Sequence, residues 1–543
     1  MKKYIFLLSL FVIISAYTAF PQEFPPDNDP AELQEPAIVA DEQIFDIDQM
    51  FIITDFEFDI TGRPRPHALI YHGGFRQGEI IQGTANLETY IQQKTQDLIN
   101  LRVLKENVEI HYTIGEQDTD GNYQVVLLIK VEESWNIIAV PRPYYRSNDA
   151  FDLTIKARDY NFLGRMYPLR VDLGYRYDMS DTTSYRNSFT LEIESITLFR
   201  AFGFDWNFVF TNLLTYRDGA DEPFYFRNIT GLWMEYPIRN TTFTFGFEES
   251  FHLNEEIESD YNREFYGEDF QSGLFMSSKL FTRWEIHTGI LVSRFGELTY
   301  TPDISLAINH EMPDPEWQLY PFLKGPFFSF GHALGFERIN WQGNYREGLS
   351  VSITNPYTYD ATLNKVNANI TARGAGYFII TDFFAISTQL MYRHWFFNNP
   401  GYFERAGDVL RGISDKEIKA SYMLTLNLDF PVRVLVFKPS EWLNSQKLRF
   451  FDFEFQISPV LDMAIYRDPG DNTIANPRPA TSFGFRNMAV SSGIEFIAFP
   501  DFMRRLYLRL TFAWNLREMF AQRPYRIPGG INREISLMLY HHY

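Results

Sequence analysis

Several features of soluble enzymes and helical membrane proteins are missing from this sequence. It has no cysteine, which excludes a disulfide framework and thiolate metal or redox sites. Beyond roughly the first 20 positions it has no apolar run of about 20 residues, the length that a transmembrane helix needs. It also lacks a G-x-S-x-G elbow, a P-loop and an H-E-x-x-H motif, so we expect neither an enzyme nor a cofactor or metal.

Basic residues are in deficit, whereas aromatic residues are abundant. Lys and Arg number 49 against 69 Asp and Glu, and the resulting net charge of -20 argues against nucleic acid as a partner. The chain has 52 Phe and 32 Tyr, yet its mean hydropathy is only -0.24. Many aromatics without long apolar runs are typical of a transmembrane β-barrel, in which lipid-facing and lumen-facing residues alternate.

The N-terminus has the pattern of a secretory signal peptide, which we assign to residues 1–21. Lys2 and Lys3 precede an almost wholly apolar stretch at positions 4–14, and small residues follow at Ala16 and Ala19. Such a stretch is too short for a spanning helix, and an uncleaved anchor is the alternative. Residues 22–44 are rich in Pro, Asp and Glu, so we predict a flexible linker that cannot bury enough apolar surface to fold.

Residues 45–134 are predicted to form a small α/β domain with the order β-α-α-β-β. Phe56, Phe58 and Ile60 alternate on one face of a strand. Positions 87–98 carry apolar residues at helical spacing, and a shorter helix is expected at positions 67–73. The hairpin sequence GEQDTDGN separates the last two strands. Two helices packed on a three-stranded sheet make a domain of this size.

From position 150 to position 543 the pattern is that of period-two strands, each roughly ten residues long. Phe451, Phe453 and Phe455, for example, alternate with Asp452 and Glu454. A bilayer tolerates no open sheet edge, so the sheet should close. At about 25 residues per strand and connection, the region predicts an all-β transmembrane barrel of about 16 antiparallel strands. A soluble all-β sandwich is the alternative.

Two short motifs make the chain resemble a known group of proteins. ARDYNFLGR, residues 157–165, resembles the D-x-N-F-x-G stretch at the first barrel hairpin of the BamA/TamA-type outer-membrane assembly superfamily, the bacterial surface antigen family. VLRGISD, residues 409–415, resembles that superfamily's V-R-G-F/Y motif, which lies on a loop inside the barrel. Residues 45–134 resemble a single polypeptide-transport-associated (POTRA) domain, and residues 135–149 resemble the bridge into the barrel. The matching motif residues are Asp159, Asn161, Phe162, Gly164, Leu410, Arg411, Gly412 and Ile413.

The resemblance implies an ion pair inside the barrel. In the superfamily the loop arginine pairs with an aspartate on a strand after the loop, and the matching residues here are Arg411 and Asp462. Asp462 shares the parity of Asp452 and Glu454, so it should face the lumen. Gly412 would let the loop backbone approach the wall. A solvated surface arginine is the alternative, and the chain departs from the usual motif at Leu410, Ile413 and Ala464.

The same resemblance implies a function in protein transport at the bacterial outer membrane, with the POTRA domain in the periplasm. The expected partners are outer-membrane lipid, unfolded β-barrel or secreted client polypeptides, and periplasmic accessory proteins. A gate is expected at the seam between a first strand at positions 151–157 and a last strand at positions 534–543, near Gly529, Gly530 and Tyr543. The alternatives are a dedicated two-partner-type secretion pore and a passive outer-membrane channel or surface adhesin.

Overall fold

The computed structural model describes most of the chain from residue 49 to residue 541. The described ranges are 49–145, 150–178, 187–220, 223–238, 240–254, 256–257, 270–271, 274–292, 295–310, 325–361, 364–396, 404–405, 409–413, 419–467, 482–516 and 533–541. The predicted signal peptide 1–21 and linker 22–44, together with Gly529, Gly530 and Tyr543, lie outside them. Among the described residues, no helix is both long enough and apolar enough to cross a bilayer.

The N-terminal domain has the predicted order of helices and strands, with one short strand added between the helices. Its sheet order is β2-β1-β4-β3, in which β1 runs parallel to β4 and antiparallel to β2. The β-α-α-β-β prediction is therefore confirmed. The elements are β1 (Met50–Thr61), α1 (Pro66–Gly73), β2 (Ile80–Gln82), α2 (Thr84–Asn100), β3 (Glu109–Gln117) and β4 (Tyr123–Glu132).

The core of this N-terminal domain, which is called the POTRA domain below after its resemblance, lies between its sheet and its two helices. Ile53 and Leu127 from the central strands are fully buried, as are Leu87 and Leu98 from α2. Leu87 and Leu98 are three helical turns apart, so both point to the sheet from one face of α2. Burying each such side chain stabilises the domain by about 1.5–3 kcal/mol.

The remaining strands close an antiparallel barrel, as predicted. The barrel runs from β5 to β28, with two small two-stranded sheets and one short helix at its ends. The barrel segments are β5 (Ile137–Tyr145), β6 (Ala150–Asp159), β7 (Leu169–Asp178), β8 (Asn187–Ala201), β9 (Phe204–Asp218), β10 (Phe224–Ile238), β11 (Thr241–Leu253), β14 (Leu274–Leu291), β15 (Glu297–His310), β16 (Phe327–Gln342), β17 (Tyr345–Thr354), β18 (Tyr357–Asp360), β19 (Lys365–Thr381), β20 (Phe384–Trp395), β23 (Tyr422–Asp429), β24 (Val432–Phe437), β25 (Phe453–Arg467), β26 (Met488–Pro500), β27 (Leu506–Asn515) and β28 (Arg533–His541). The other elements are β12 (Glu256–Ile257), β13 (Phe270–Gln271), β21 (Glu404–Arg405), β22 (Lys419–Ala420) and the helix α3 (Pro439–Trp442).

The twenty barrel segments of the described residues form eighteen strands. β17 and β18 keep one register against β16 and β19, and β23 and β24 keep one register against β20. Each pair is interrupted where a proline, Pro356 or Pro431, cannot donate a backbone hydrogen bond. Eighteen strands exceed the predicted sixteen because turns such as Phe202–Gly203 use fewer residues than the assumed spacing. Within the described residues, five of these strands follow the 409–413 loop.

The barrel begins earlier than the sequence suggested. Residues 137–145, predicted to belong to the bridge, form β5, and β5 pairs with β6 along its whole length. The closing pair of the barrel is β28 with β5, so the strand at 151–157 is the second strand and does not form the seam. The expected alternation was hidden in β5 by Pro141 and Pro143, which read as turn residues.

Side chains alternate between lipid-facing and lumen-facing positions along the strands. In β26, Glu495 is 1% exposed and its neighbour Phe496 is 45% exposed. In β25, Gln456, Ser458 and Asp462 are buried on the inner face. The interior of the barrel is therefore polar and charged, while the outer face carries exposed apolar side chains.

Candidate functional site

The segment 409–413 lies inside the barrel and packs on its wall. Leu410 and Ile413 are buried, and they form one apolar cluster with Met423, Ala464 and Ala489 from β23, β25 and β26. The two alanines leave space for the branched side chains of the loop. Ile413, which stands where the superfamily motif has an aromatic residue, therefore packs against the inner wall of the barrel. Each of the two buried aliphatic side chains contributes about 1.5–3 kcal/mol.

Gly412 brings the loop backbone against β27. Its φ is +75°, a left-handed conformation that side chains disfavour. A Cβ atom at this position would lie 2.8 Å from the carbonyl carbon of Ala513 and 2.8 Å from the nitrogen of Trp514. Both atoms belong to the backbone of the barrel wall and cannot move aside cheaply. The position therefore requires glycine for its conformation and for its close approach.

Arg411 and Asp462 are brought together as the resemblance implied. Arg411 Nε donates to Asp462 Oδ2 at 2.9 Å, and Arg411 Nη2 donates to Asp462 Oδ1 at 2.6 Å. The backbone N–H of Arg411 also donates to Asp462 Oδ2, at 2.8 Å. Asp462 is 1% exposed. This bidentate geometry joins the loop to β25 and is stronger than a single charged contact.

Two further carboxylates complete the environment of Arg411. Its Nη1 lies 2.6 Å from Asp429 Oδ1 and 3.2 Å from Glu495 Oε1. Glu495 also accepts a hydrogen bond from Thr511 at 3.1 Å and lies 3.4 Å from Arg509. The guanidinium thus joins acidic side chains from β23, β25 and β26, which span three neighbouring strands of the wall.

The electrostatics of this cluster favour a charged Arg411. Burial lowers the pKa of Arg411, but the hydrogen bond to Asp462 and the charges of Asp429, Asp462 and Glu495 outweigh burial and raise it above its usual range. Sequence reasoning found Asp462 and missed Asp429 and Glu495. The parity of Asp429 in its strand was an available signal, because Asp429 alternates with apolar residues of β23.

The ARDYNFLGR motif forms the turn between β6 and β7, where the POTRA domain contacts the barrel. Asn161 is fully buried, and its side chain donates to Glu133 at 2.8 Å and accepts from the N–H of Met166 at 2.9 Å. Asp159 receives two hydrogen bonds from Arg63, at 3.0 and 3.1 Å. These contacts tie the end of β1 and the end of β4 to the turn.

The other two motif residues shape the same turn. Phe162 begins a single 3-10 turn, and its N–H donates to the carbonyl of Tyr167 at 3.1 Å. Gly164 has a φ of +73°, and a Cβ there would lie 2.1 Å from the carbonyl oxygen of Arg63. Its own carbonyl accepts from the N–H of Arg65 at 2.9 Å. The motif is therefore the joint between the POTRA domain and the barrel.

Arg102 makes a second POTRA–barrel contact, which the sequence did not reveal. It is 2% exposed and follows α2. Its Nη1 donates to the carbonyl of Gly343 at 2.9 Å and its Nη2 donates to Asn344 at 3.1 Å, while its guanidinium lies 4.2 Å from the ring centre of Trp341. Its Nε donates to the carbonyl of Arg504. Burial, and then the nearby charge of Arg504, lower the pKa of Arg102 to about 9.

The POTRA domain spans the barrel opening at its end. On the side of the barrel formed by β9 and β10, His67 lies 2.8 Å from Asp205 of β9. The hydroxyl of Tyr71 donates to Glu235 of β10 at 2.7 Å. The contacts of Arg102 are with the turns after β16 and β26, on the other side of the barrel. A domain fixed to several separated turns lies across the mouth that they surround.

The seam between β28 and β5 has a chemical asymmetry. The ladder between β5 and β6 continues through Pro141 and Pro143, which pair with Ile155 and Leu153. Alternate residues of a strand direct their N–H groups to the same neighbour. Because the two prolines do not interrupt the ladder to β6, their missing N–H groups belong to the side of β28. β5 therefore offers no backbone donor at Pro141 and Pro143 on its β28 side.

No family model matches the chain, and no curated protein sequence matches it. Its structure is similar to CdiB from Acinetobacter baumannii, at 11% identity and a TM-score of 0.47, covering 91% of this chain and 74% of that chain. For CdiB from Escherichia coli the values are 7%, 0.41, 99% and 96%. For BamA from Haemophilus ducreyi lacking POTRA domains 1–3 they are 13%, 0.36, 90% and 84%. At such identities the similarity concerns the fold alone.

Proposed function

We propose that the chain is an outer-membrane protein assembly or translocation factor, which inserts or translocates client polypeptides through POTRA binding and the barrel seam. The barrel would lie in the bacterial outer membrane, with its POTRA domain in the periplasm. Its clients would be unfolded β-barrel or secreted polypeptides, with periplasmic accessory proteins as further partners. Inserting or translocating a polypeptide makes and breaks no covalent bond. The proposal therefore includes no catalytic residue and no cofactor.

The observation that carries this proposal is the pair of prolines at the seam. Proline is found at sheet edges because an edge strand needs no donor on its free side. Pro141 and Pro143 give β5 this edge character at the place where the barrel closes. At these two positions β5 has no N–H group to donate to a carbonyl of β28, and unsatisfied backbone groups within a bilayer cost several kcal/mol each. A client strand that supplies those N–H groups would therefore pair with β28 more fully than β5 does.

Client capture before insertion would use the POTRA sheet. β3 (Glu109–Gln117) lies at one edge of the sheet order β2-β1-β4-β3. An extended polypeptide can add to such an edge through backbone hydrogen bonds, which recognise a strand without requiring a specific sequence. The cluster of Arg411 would meanwhile hold the lumen loop against β23, β25 and β26, which are not the strands that form the seam. The seam could thus open while the neighbouring strands β23, β25 and β26 stay fixed.

The test restores the missing donors. The double variant P141V/P143V supplies two N–H groups on the side of β28, so the seam should become more stable and client insertion should slow several-fold. Insertion is measured with the full chain in proteoliposomes, as protease protection of an added unfolded β-barrel client. Pro302→Val is the matched control, because Pro302 lies in β15, far from the seam.

The folded state of each variant is checked by its heat-modifiable migration in gel electrophoresis. Unchanged insertion by a folded P141V/P143V protein would contradict a seam-based function. Quantitative outer-membrane proteomics after depletion then separates the alternatives. A broad fall in barrel proteins is expected for an assembly factor, the loss of one or two exported proteins for a dedicated secretion pore, and no change for a channel or adhesin.

A further inference from the structure

A cluster of aromatic and basic side chains lies on the outer face of the barrel, at the end away from the POTRA domain. Tyr392 and His394 lie near the C-terminal end of β20. Tyr422 is the first residue of β23, and Arg467 is the last residue of β25. All four have the parity opposite to lumen-facing neighbours such as Met423, which is fully buried inside the barrel. The cluster therefore belongs to the lipid-facing side of the wall.

Within this cluster lies a cavity of about 300 Å³, which is lined by Tyr392, Tyr422, Arg467 and Phe483. The guanidinium of Arg467 lies 5.2 Å from the ring centre of Tyr422. The ring of His394 lies 4.0 Å from the ring of Tyr422 on the neighbouring strand. The aromatic rings form the walls of the cavity, and a single cation lies at its side.

The cation of the cavity has no acidic partner within the described part of the chain. Arg411, by contrast, contacts three carboxylates, and Arg63 contacts two. An unpaired guanidinium is unexpected in a chain with a net charge of -20. Placing it on an apolar surface costs free energy unless an anion approaches it. Among the described residues, the cavity therefore presents a guanidinium whose charge an approaching anion would neutralise.

We propose that this cavity binds the phosphate headgroup of a membrane lipid in the leaflet far from the POTRA domain. The inference rests on the proposed function to the extent that it places the barrel in a membrane. A guanidinium matches the oxygens of a phosphate with two parallel hydrogen bonds, and it can stack on an aromatic ring at the same time. Tyr392, Tyr422 and His394 provide the amphipathic rings that are enriched at membrane interfaces.

Continuity with the lipid-facing surface favours a lipid over a soluble anion. Leu390, two residues before Tyr392 on the same face of β20, is 49% exposed and would contact acyl chains. A lipid seated with its phosphate at Arg467 would lay its chains along this apolar face. A free anion would gain only the contact with the guanidinium. Basic pockets beside membrane spans bind lipid headgroups by the same combination of contacts.

The test uses the full chain purified in a nonionic detergent and analysed by native mass spectrometry. The probes are dihexanoyl phosphatidic acid, dihexanoyl phosphatidylcholine and inorganic phosphate. We expect phosphatidic acid to bind best, and Arg467→Gln to weaken its binding on the order of tenfold, or about 1.4 kcal/mol. Lys365→Gln is the matched control, because Lys365 lies at the same end of the barrel but on its inner face. It alternates in phase with Thr371 and Tyr377, which are buried.

Arg467→Lys keeps the charge without the planar fork, so it should retain part of the affinity and serves if Arg467→Gln does not fold. Equal binding of phosphatidic acid by the Arg467 variants and the unchanged chain would overturn the proposal. Binding of inorganic phosphate as tight as that of the lipid would also overturn it, in favour of a free-anion site. Because this assay contains no client, lipid binding and client insertion can fail independently of one another.

Discussion

Asp462 of β25 accepts three hydrogen bonds from Arg411, two from its guanidinium and one from its backbone N–H. The pair fixes both the position and the direction of the lumen loop, because side chain and backbone are held by one carboxylate. The aspartate is 1% exposed, so the pair stands in a setting where breaking it is costly. Asp429 and Glu495 also contact the guanidinium. Loss of Arg411 therefore affects three carboxylates, whereas loss of the Asp462 charge leaves Arg411 with two.

We expect Arg411→Gln to destabilise the barrel more than Asp462→Asn does. Removing the guanidinium leaves three carboxylates close together, at a cost of about 3–5 kcal/mol. Asp462→Asn keeps an acceptor oxygen and leaves Arg411 with Asp429 and Glu495, so its cost should be about 1–3 kcal/mol. The measurement is the temperature at which the heat-modifiable folded form disappears in detergent.

The double variant R411Q/D462N provides the control for this pair. Its effect should be smaller than the sum of the two single effects, because the second substitution removes an acid that the first left unpaired. An Asp462→Asn protein that is less stable than the Arg411→Gln protein would show that the other two carboxylates do not engage the guanidinium.

Gly412→Ala should loosen the loop without changing any charge. The left-handed backbone costs a side chain about 1–2 kcal/mol, and the clash with the backbone of β27 adds to this cost. Gly203→Ala is the matched control, because Gly203 has a φ of +82° and nothing lies within 4 Å of the added Cβ. Limited proteolysis within the 404–420 region should be faster for Gly412→Ala than for Gly203→Ala. Equal cleavage rates would mean that the loop does not depend on its approach to β27.

Strand periodicity predicted a large part of this architecture from the sequence. The alternation in β25 placed Asp462 on the inner face, and the spacing of apolar residues placed α2 on the POTRA sheet. Both predictions depend on residues close in sequence, where the geometry of a helix or strand sets the spacing of side chains. Such local patterns do not depend on the final arrangement of the strands.

The remainder depended on contacts between distant parts of the chain. Asp429 and Glu495 meet Arg411 only because β23, β25 and β26 are neighbours in a particular register. Arg102 contacts Gly343 and Arg504, which lie more than two hundred residues away in sequence. The sequence did not predict the seam strand β5, because its two prolines are typical of a turn. Proline is compatible with a strand only where one side of the strand needs no donor, as at an edge. Register and closure fix these contacts, and no local pattern encodes either one.

Arg102→Gln should release one side of the POTRA domain from the barrel mouth. The substitution removes the contacts with the turns after β16 and β26, together with the stacking on Trp341. If the domain then tilts, ions can enter the lumen, so single-channel conductance in planar bilayers should rise. Lys105→Gln is the matched control, because Lys105 pairs with Glu132 inside the POTRA domain and lies only three residues away. Equal conductance of the two variants would place the barrier to ions elsewhere in the lumen.

His72 is the group through which pH should act on the same mouth. It lies on α1, and its Nε2 is 3.1 Å from the carbonyl oxygen of Arg165 in the turn after β6. Its ring packs edge-on against Tyr167, at 4.7 Å between ring centres. Burial is the main cause that lowers the pKa of His72 from 6.5 to about 4, and the positive charges of Arg505 and His67 lower it further against the opposing carbonyl of Arg165.

Docking of the POTRA domain should therefore weaken as pH falls from about 6.5 to about 4. A released His72 takes up a proton near its ordinary pKa, whereas the docked residue resists protonation until about pH 4. Acid thus favours the released state, and the contribution of His72 to docking is fully present above pH 6.5. We expect conductance to rise across this window in the unchanged chain and to rise less in His72→Gln, whose amide can still donate to Arg165 without titrating. Because His67 faces Asp205 at the same mouth, His67→Gln is measured in parallel as a second control variant. If the conductance of His72→Gln rises with falling pH as much as that of the unchanged chain, the pH response belongs to other groups at the barrel mouth.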